Sequence, residues 1–535
     1  MISSKIFHNR KNFLTLSELL SMRNIIWRAV LSGMFALMAL WGYQINATDS
    51  VSYGNHPILF VVLTVVFFFV IFLIDYIMKI LEKAHMSVIT DRFMIFSGLI
   101  ILCVWIVTWL ALFPGLAIYD GPSQLAQWNK GTISTHHPYI HSAFLGFCDT
   151  LAKETGIEDY SFFNSIIQMI FQFICYMRLL YTLRELKTKM AYMVYIVFFM
   201  AFYPPNAFMA LTTSKDTIFS GFFILMMCEL IMFIKKRPED VKKWDLARLI
   251  IFSAFMCIFR NNGVYAFAVG FPFLIFVGFK KLWKKLALVY MCVLSLSILF
   301  SGFVTNVMNI RGGDSREALN VIIQPLSRIY NSVPGELSSE ESERIRNLFS
   351  GNEVVQYVSY CSDSSKIIFD TYFFRSEIRD NLNLYFSLMK RYPTAYIDAF
   401  LATNLGNYYP LESLPRNFKV YYEIPIEDNG HSLIPRIYDI IANFAWNSSY
   451  RNSKLMTIWL SSGVTLWKLL YVMYYMVRRR EYDKLTVCSI PLLLIGTMFL
   501  GPVALIRYTQ PITITIPILL MFAMFNIENN DKTQL

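Results

Sequence analysis

The sequence predicts an all-α transmembrane protein of about 12 membrane-spanning helices. Three observations predict it. Of 535 residues, 56% are hydrophobic and 16% are charged, where a soluble protein carries roughly a quarter charged. The apolar residues come in runs near the length a bilayer requires, about 20 residues. Lys and Arg collect in every second connection between those runs.

The runs read in order as Ile26–Ile45, Ile58–Met78, Met94–Phe113, Phe162–Leu180, Met190–Tyr203, Thr217–Ile234, Leu246–Phe259, Val264–Phe279, Leu286–Val307, Leu455–Val477, Thr486–Leu500 and Tyr508–Phe525. Met190–Tyr203 and Leu246–Phe259 are short and need flanking residues or burial among neighbours. The basic connections carry Lys79, Lys83 and Arg92, then Arg184, Lys187 and Lys189, then Lys235 to Arg248, Lys280 to Lys285, and Arg478 to Lys484. This alternation places both termini in the cytoplasm of a multi-pass cell-membrane protein. It also accounts for the net charge of +11 without nucleic acid as a partner. No short apolar core with a cleavage site follows Lys5, Arg10 and Lys11, so the first span serves as the insertion signal.

Four regions follow. Residues 1–93 form a cytoplasmic arm and two accessory spans, and residues 94–307 form a transmembrane module. That module includes a first, amphipathic outer loop, 114–161. Residues 308–453 are too polar to span and make a long, mostly helical outer segment, and 454–535 hold the last spans and a short tail. Within the outer segment Ser338 to Leu348 begins with Ser and Glu and continues with apolar residues at helical spacing, while Pro393, Pro410, Pro415, Pro425 and Pro435 punctuate the rest. The eight cysteines are not spaced as a disulfide framework or a zinc site. Only Cys148 and Cys361 fall outside the apolar runs, where one bridge between them is feasible.

Charges inside the runs are few. Asp75, Arg178 and Glu229 fall near cytoplasmic ends, where they reach headgroups, and Lys468 is deeper and either snorkels or pairs. Polar chemistry concentrates at the outer ends. Tyr119-Asp120-Gly121-Pro122-Ser123-Gln124 follows the third span. Asp120 there is placed either to act as a base at the membrane–water boundary or to cap the helix that begins beside Pro122. His136-His137-Pro138 offers proton transfer or metal ligation, or simply fixes the entry of the next helix. Lys215 is placed to meet a phosphate or to pair with Asp216. Arg260-Asn261-Asn262-Gly263 and Arg507-Tyr508 put arginines on the outer face against the positive-inside pattern, which points to a bound anion.

These pieces, with Gln324-Pro325 at the end of the stretch from Glu317, resemble the GT-C class of membrane glycosyltransferases and an uncharacterised bacterial multi-pass family beside it. The match runs from the third span to the last. The resemblance implies a GT-C-like fold and a polyprenyl-phosphate-linked sugar as donor. It also implies a cell-envelope glycan, lipid or protein as acceptor on the outer side. Asp120 corresponds to the essential acid of such enzymes. Gln124, His136, His137, Lys215, Asp216, Arg260, Asn261, Gln324, Arg507 and Tyr508 fall at substrate-binding positions. Several such enzymes carry a second acid beside the first; here Gly121 and Pro122 follow Asp120, which leaves a divalent cation open. The expected chemistry is single displacement with inversion, Asp120 as general base and Lys215, Arg260 and Arg507 on the leaving phosphate. A polymerase or ligase of lipid-linked glycans, and a transporter or flippase, are the alternatives.

Overall fold

Why the apolar runs fold as they do is visible in a computed structural model that describes residues 21–51, 56–83, 88–310, 312–313, 316, 319–333, 335–352, 355–411, 431–446 and 453–524. Lys5, Arg10, Lys11, Glu317, Pro415, Pro425 and the chain from Phe525 onward lie outside the described residues. The described residues form helices joined by turns, with two isolated β-bridges. A backbone in lipid must satisfy its own polar groups, and helices do so within one segment.

Among the described residues nine helices are long and apolar enough to cross a membrane: Met22–Thr48, Pro57–Glu82, Asp91–Ala111, Ser161–Glu185, Lys215–Ile234, Asn261–Gly278, Lys280–Val307, Tyr482–Phe499 and Ile506–Met524. A tenth span arises if Met190–Phe202 and Pro204–Leu211, bent by 46°, count as one. Helices also form at the other two expected positions but fall short of that standard. Lys243–Phe259 has 17 residues, and Ser462–Arg479 carries Lys468, Arg478 and Arg479. The protein is thus a helical membrane protein, with nine or ten qualifying helices among the described residues.

Residues 204–211, read from the sequence as part of a connection, form a buried helix bent against the preceding one. Pro204 and Pro205 lack N–H donors and cannot continue the preceding helix, so they start a second one. That second helix is buried from Pro205 to Leu211, as are Thr212, Thr213 and Ser214. Its backbone is satisfied from the side. Asn164 Nδ2 donates to the Thr212 carbonyl at 3.0 Å, Gln168 Nε2 donates to the same oxygen, and Gln172 Nε2 donates to Thr217. Three amides four residues apart on Ser161–Glu185 therefore satisfy the backbone where Pro204–Leu211 gives way to Lys215–Ile234.

The Lys215–Ile234 and Ile506–Met524 helices form the centre, each with 89% of its apolar window buried, whereas Pro57–Glu82 has 6% buried and faces outward. The segment after Val307 has a core of its own, with Ile323, Leu326, Ile345, Leu348, Phe369 and Leu388 at its heart. Within it Ser338 caps Ser339–Leu348, and Glu341 returns the bond to the Ser338 N–H at 2.9 Å.

At one end of the bundle the intramembrane charges depart from expectation. Asp75 does not reach for headgroups: its side chain is fully buried, paired with Arg28 at 3.0 Å and Arg478 at 2.6 Å. Tyr474 and Tyr471 hydroxyls donate to the same carboxylate at 2.8 and 3.1 Å. The two N-terminal helices are thereby locked to Ser462–Arg479, aided by Phe35 stacked on Trp467 at 4.3 Å. Glu229 pairs with Arg178 at 2.8 Å and Arg248 at 3.2 Å, and Lys468 is exposed on its helix. Cys148 and Cys361 are free thiols, so the bridge between them does not form.

Candidate active site

At the opposite end of the bundle, four stretches far apart in sequence converge: 119–124, 136–141, 213–216 and 507–508, with Arg260 from the break between two helices. A short backbone clip brings the first and third together. Leu116 and Thr212 form a parallel bridge, in which Leu116 N–H donates to Leu211 at 2.9 Å and Thr213 N–H to Leu116 at 3.0 Å. The Thr213 hydroxyl closes the clip, accepting from Ile118 N–H at 3.1 Å and donating to the Ile118 carbonyl at 3.0 Å. Gly121 permits this approach. A Cβ there would overlap the Thr213 side chain and stand 2.7 Å from the Thr213 carbonyl oxygen. Just before it, Tyr119 takes a left-handed conformation with φ 61°, uncommon for an aromatic residue and costly enough to need support from its surroundings. That support includes the Arg507 guanidinium, 4.0 Å above the Tyr119 ring.

Asp120 precedes the Gly121–Lys130 helix, but its carboxylate does not cap it; only its carbonyl enters the helix, accepting from Gln124 N–H at 2.9 Å. The carboxylate instead accepts from Lys215 Nζ at 2.9 Å. Lys215 is the first residue of Lys215–Ile234, whose cap is Ser214, accepting from Asp216 N–H at 3.2 Å. Lys215 Nζ also lies 3.0 Å from His137 Nδ1. An ammonium can only donate, so His137 carries its own proton on Nε2. Burial first, then the Lys215 charge, pulls the His137 pKa down to about 3, so the ring is neutral near pH 7.

Asp216 lies deeper and binds the two arginines. Arg260 Nη1 pairs with one carboxylate oxygen, and Arg507 Nε lies 3.3 Å from the other. Tyr508 stacks 4.4 Å below Arg260 and 5.2 Å from Arg507. Three cations, Lys215, Arg260 and Arg507, thus face two carboxylates, leaving one positive charge uncompensated in this group. Arg507 Nη1 is buried without a hydrogen-bond acceptor among the described residues. Asp120 is the open edge of the cluster, its side chain 41% exposed against 2% for Asp216. Burial works to raise the Asp120 pKa, but Lys215 and Arg507 outweigh it and hold the carboxyl well below its usual range.

The expected residues sort clearly. Asp120, His137, Lys215, Asp216, Arg260, Arg507 and Tyr508 share one cluster. The pairing expected for Lys215 is corrected: its acid is Asp120, while Asp216 takes the arginines. Gln124 lies behind the cluster, its Oε1 2.9 Å from His141 Nδ1 and accepting from Ser142 Oγ at 3.3 Å. His141 is fully buried, and burial with the Lys215 charge lowers its pKa to about 3. His136 is exposed and stacks edge-on against His137 at 4.5 Å, and Asn261 is exposed at the start of its helix. Gln324 is engaged elsewhere, donating to Val358 O at 2.9 Å and Thr403 Oγ1 at 3.1 Å, and so braces the separate lobe. The sequence reading quoted Tyr119 in the outer motif without giving it a role, and missed the Asn164, Gln168 and Gln172 row. The signal for the row was amides at four-residue spacing in an apolar helix.

Among the described residues no group of three His, Cys, Asp or Glu could hold a metal ion. Both carboxylates already neutralise cations, so the donor set does not fit a divalent ion, and no step is derived through one.

No curated protein and no solved structure matches the chain. One family model, described as a family of unknown function, DUF6020, matches residues 127–534. The match begins after Asp120 and Gln124 and takes in His137, Lys215, Asp216, Arg260 and Arg507. With most of its length matched, the chain belongs to the DUF6020 family of unknown function.

Proposed function

We propose that the protein is an inverting GT-C-like glycosyltransferase of the cell membrane. It moves a sugar from a polyprenyl-phosphate carrier to an envelope glycan, lipid or protein acceptor. One observation carries this reading. An uncapping, partly exposed Asp120 stands hydrogen-bonded to Lys215 at the edge of a cluster in which Arg260 and Arg507 leave positive charge uncompensated. That is the pairing of base and anion site that displacement of a phosphate requires. In this reading twelve spans place the cluster and the 308–453 segment outside, and both termini inside.

The acceptor hydroxyl gives its proton to Asp120 as its oxygen bonds to the anomeric carbon from the face opposite the phosphate. The bond from that carbon to the phosphate oxygen breaks, and its electron pair leaves with the lipid phosphate. Arg260, Arg507 and Lys215 stabilise that charge, the two arginines from largely buried positions where fixed cations act most strongly. Single displacement inverts the anomeric centre. The test is incubation of purified protein with a polyprenyl-phosphate-linked sugar. Release of the polyprenyl phosphate with an inverted product supports the reading; an intact donor, with every common envelope sugar tried, contradicts it.

The depressed pKa of Asp120 favours a second reading. A ligase of lipid-linked polysaccharide needs the cationic cluster for its leaving group but not a basic Asp120, which is then only a counter-ion. The two differ in whether Asp120→Asn stays active.

A further inference from the structure

A carboxylate held by an ammonium is a poor base, and this bears on how the site works. Lys215 Nζ has three N–H donors, of which two are taken by Asp120 Oδ2 at 2.9 Å and His137 Nδ1 at 3.0 Å. The cluster is anionic where Asp120 and Asp216 sit and cationic where Arg507 Nη1 lies without an acceptor. A phosphate ester placed on Arg507 and Arg260 would bring further negative charge beside Lys215. The ammonium would then lie between two competing acceptors, the phosphate and Asp120. Charge-assisted bonds to phosphate are strong, and Lys215 is the cation bonded to the exposed acid, Asp120.

We propose that Lys215 is a positioning residue that occupies Asp120 in the empty site, and that an arriving phosphate ester takes Lys215 away from it, so that recognition of the leaving group is what frees the base. This rests on the glycosyltransferase reading for its purpose but not for its test. Linkage makes the exchange reciprocal: if the phosphate weakens the Lys215–Asp120 pair, that pair weakens phosphate binding by the same factor. Asp120 is therefore a competitor of the ligand. His137 remains on Nδ1 as the second acceptor and keeps the Lys215 side chain between the two positions. The arrangement keeps a reactive carboxylate quiet until a donor is seated, which disfavours stray chemistry with water.

The consequence is opposite to that of an ordinary binding-site mutation. Removing the charge of Asp120 strengthens anion binding. The experiment is calorimetric titration of the full-length, detergent-purified protein with inorganic phosphate and with a short-chain prenyl monophosphate. The native protein is compared with Asp120→Asn, Lys215→Gln and the double variant. Asp120→Asn is isosteric, and unchanged or weaker binding in it overturns the exchange even if the lysine variant does not accumulate. Expected are binding about tenfold tighter in Asp120→Asn and about tenfold weaker in Lys215→Gln. The double variant should match Lys215→Gln alone, because with the ammonium gone Asp120 has nothing to withhold. Tighter binding of the prenyl phosphate than of inorganic phosphate marks a lipid-borne ligand; equal binding marks a free phosphate, and the competition holds in either case. Unchanged or weaker binding in Asp120→Asn overturns the exchange while leaving the phosphate-site reading in place. No binding of either probe by any variant overturns both.

Discussion

Two buried carboxylate clusters stand at opposite ends of this bundle, built from the same residue types and differing in what they leave open. Asp75 is closed on every side by Arg28, Arg478, Tyr471 and Tyr474, with no exposure of its side chain. The Asp120–Asp216 cluster has a saturated inner acid and an outer acid still 41% exposed. Burial alone does not make a charged residue chemical. Both clusters hold one more cation than acid; the closed one joins helices, and the one whose outer acid is exposed has capacity for a ligand. The first cluster lies on the connection between the N-terminal helices and Ser462–Arg479; the second lies where four separate segments meet.

The largest expected effect falls on the closed cluster. Asp75→Ala leaves two arginines buried without their carboxylate, which costs roughly 3–5 kcal/mol when one partner of a buried pair is removed. Accumulation in the membrane and the thermal midpoint in detergent should both collapse. An Asp75→Ala protein with a native midpoint would break the comparison. Next comes acid. His137 and His141 have folded pKa values near 3 against an ordinary value of 6.5. Between those values the unfolded chain binds more protons than the folded one, so the stability these rings contribute is full above pH 6.5 and declines as pH falls. At about pH 5 each buried ring costs about 2 kcal/mol. Thermal melts from pH 7 to 5 should show this, and Gln at both positions should flatten it.

A smaller effect tests the clip that assembles the open cluster. Gly121→Ala forces a methyl against Thr213 and should cost roughly 1–3 kcal/mol, as overpacking does. The same change should move Asp120 away from Lys215 and lower turnover. Undiminished stability and turnover would mean that the Leu116–Thr212 bridge does not position the site. The smallest effect on stability is expected for Asp120→Asn. Its carboxylate caps no helix, and a partly exposed ion pair is worth about 0–1 kcal/mol.

Sequence reading located most helices because bilayer length and basic connections are strong, local constraints. The helix at Ser338 to Leu348 was legible for the same reason: a capping box is a short-range bond. The members of the open cluster were also legible, since arginines that break the alternation of basic connections have few other uses. Their pairing was not. Lys215 and Asp216 are neighbours in sequence, yet successive residues of a helix point apart, and the Leu116–Thr212 bridge gives Lys215 a partner 95 residues away. Asp75 was misplaced because its partners, Arg28 and Arg478, are 47 and 403 residues distant, and hydropathy reports depth but not contacts. The 46° break at Tyr203 was hidden because Pro-Pro reads equally as a loop or as a new helix start.

In the proposed mechanism Asp120 does chemistry that the fold does not need it for. The direct measurement is turnover of a polyprenyl-phosphate-linked sugar by purified native protein and by Asp120→Asn, with the thermal midpoints of both recorded in the same detergent. The account predicts equal midpoints to within about 1 kcal/mol of stability and turnover lowered by about 100-fold or more, the scale of a lost general base. An Asp120→Asn protein that releases polyprenyl phosphate at the native rate, with the native midpoint, would contradict it.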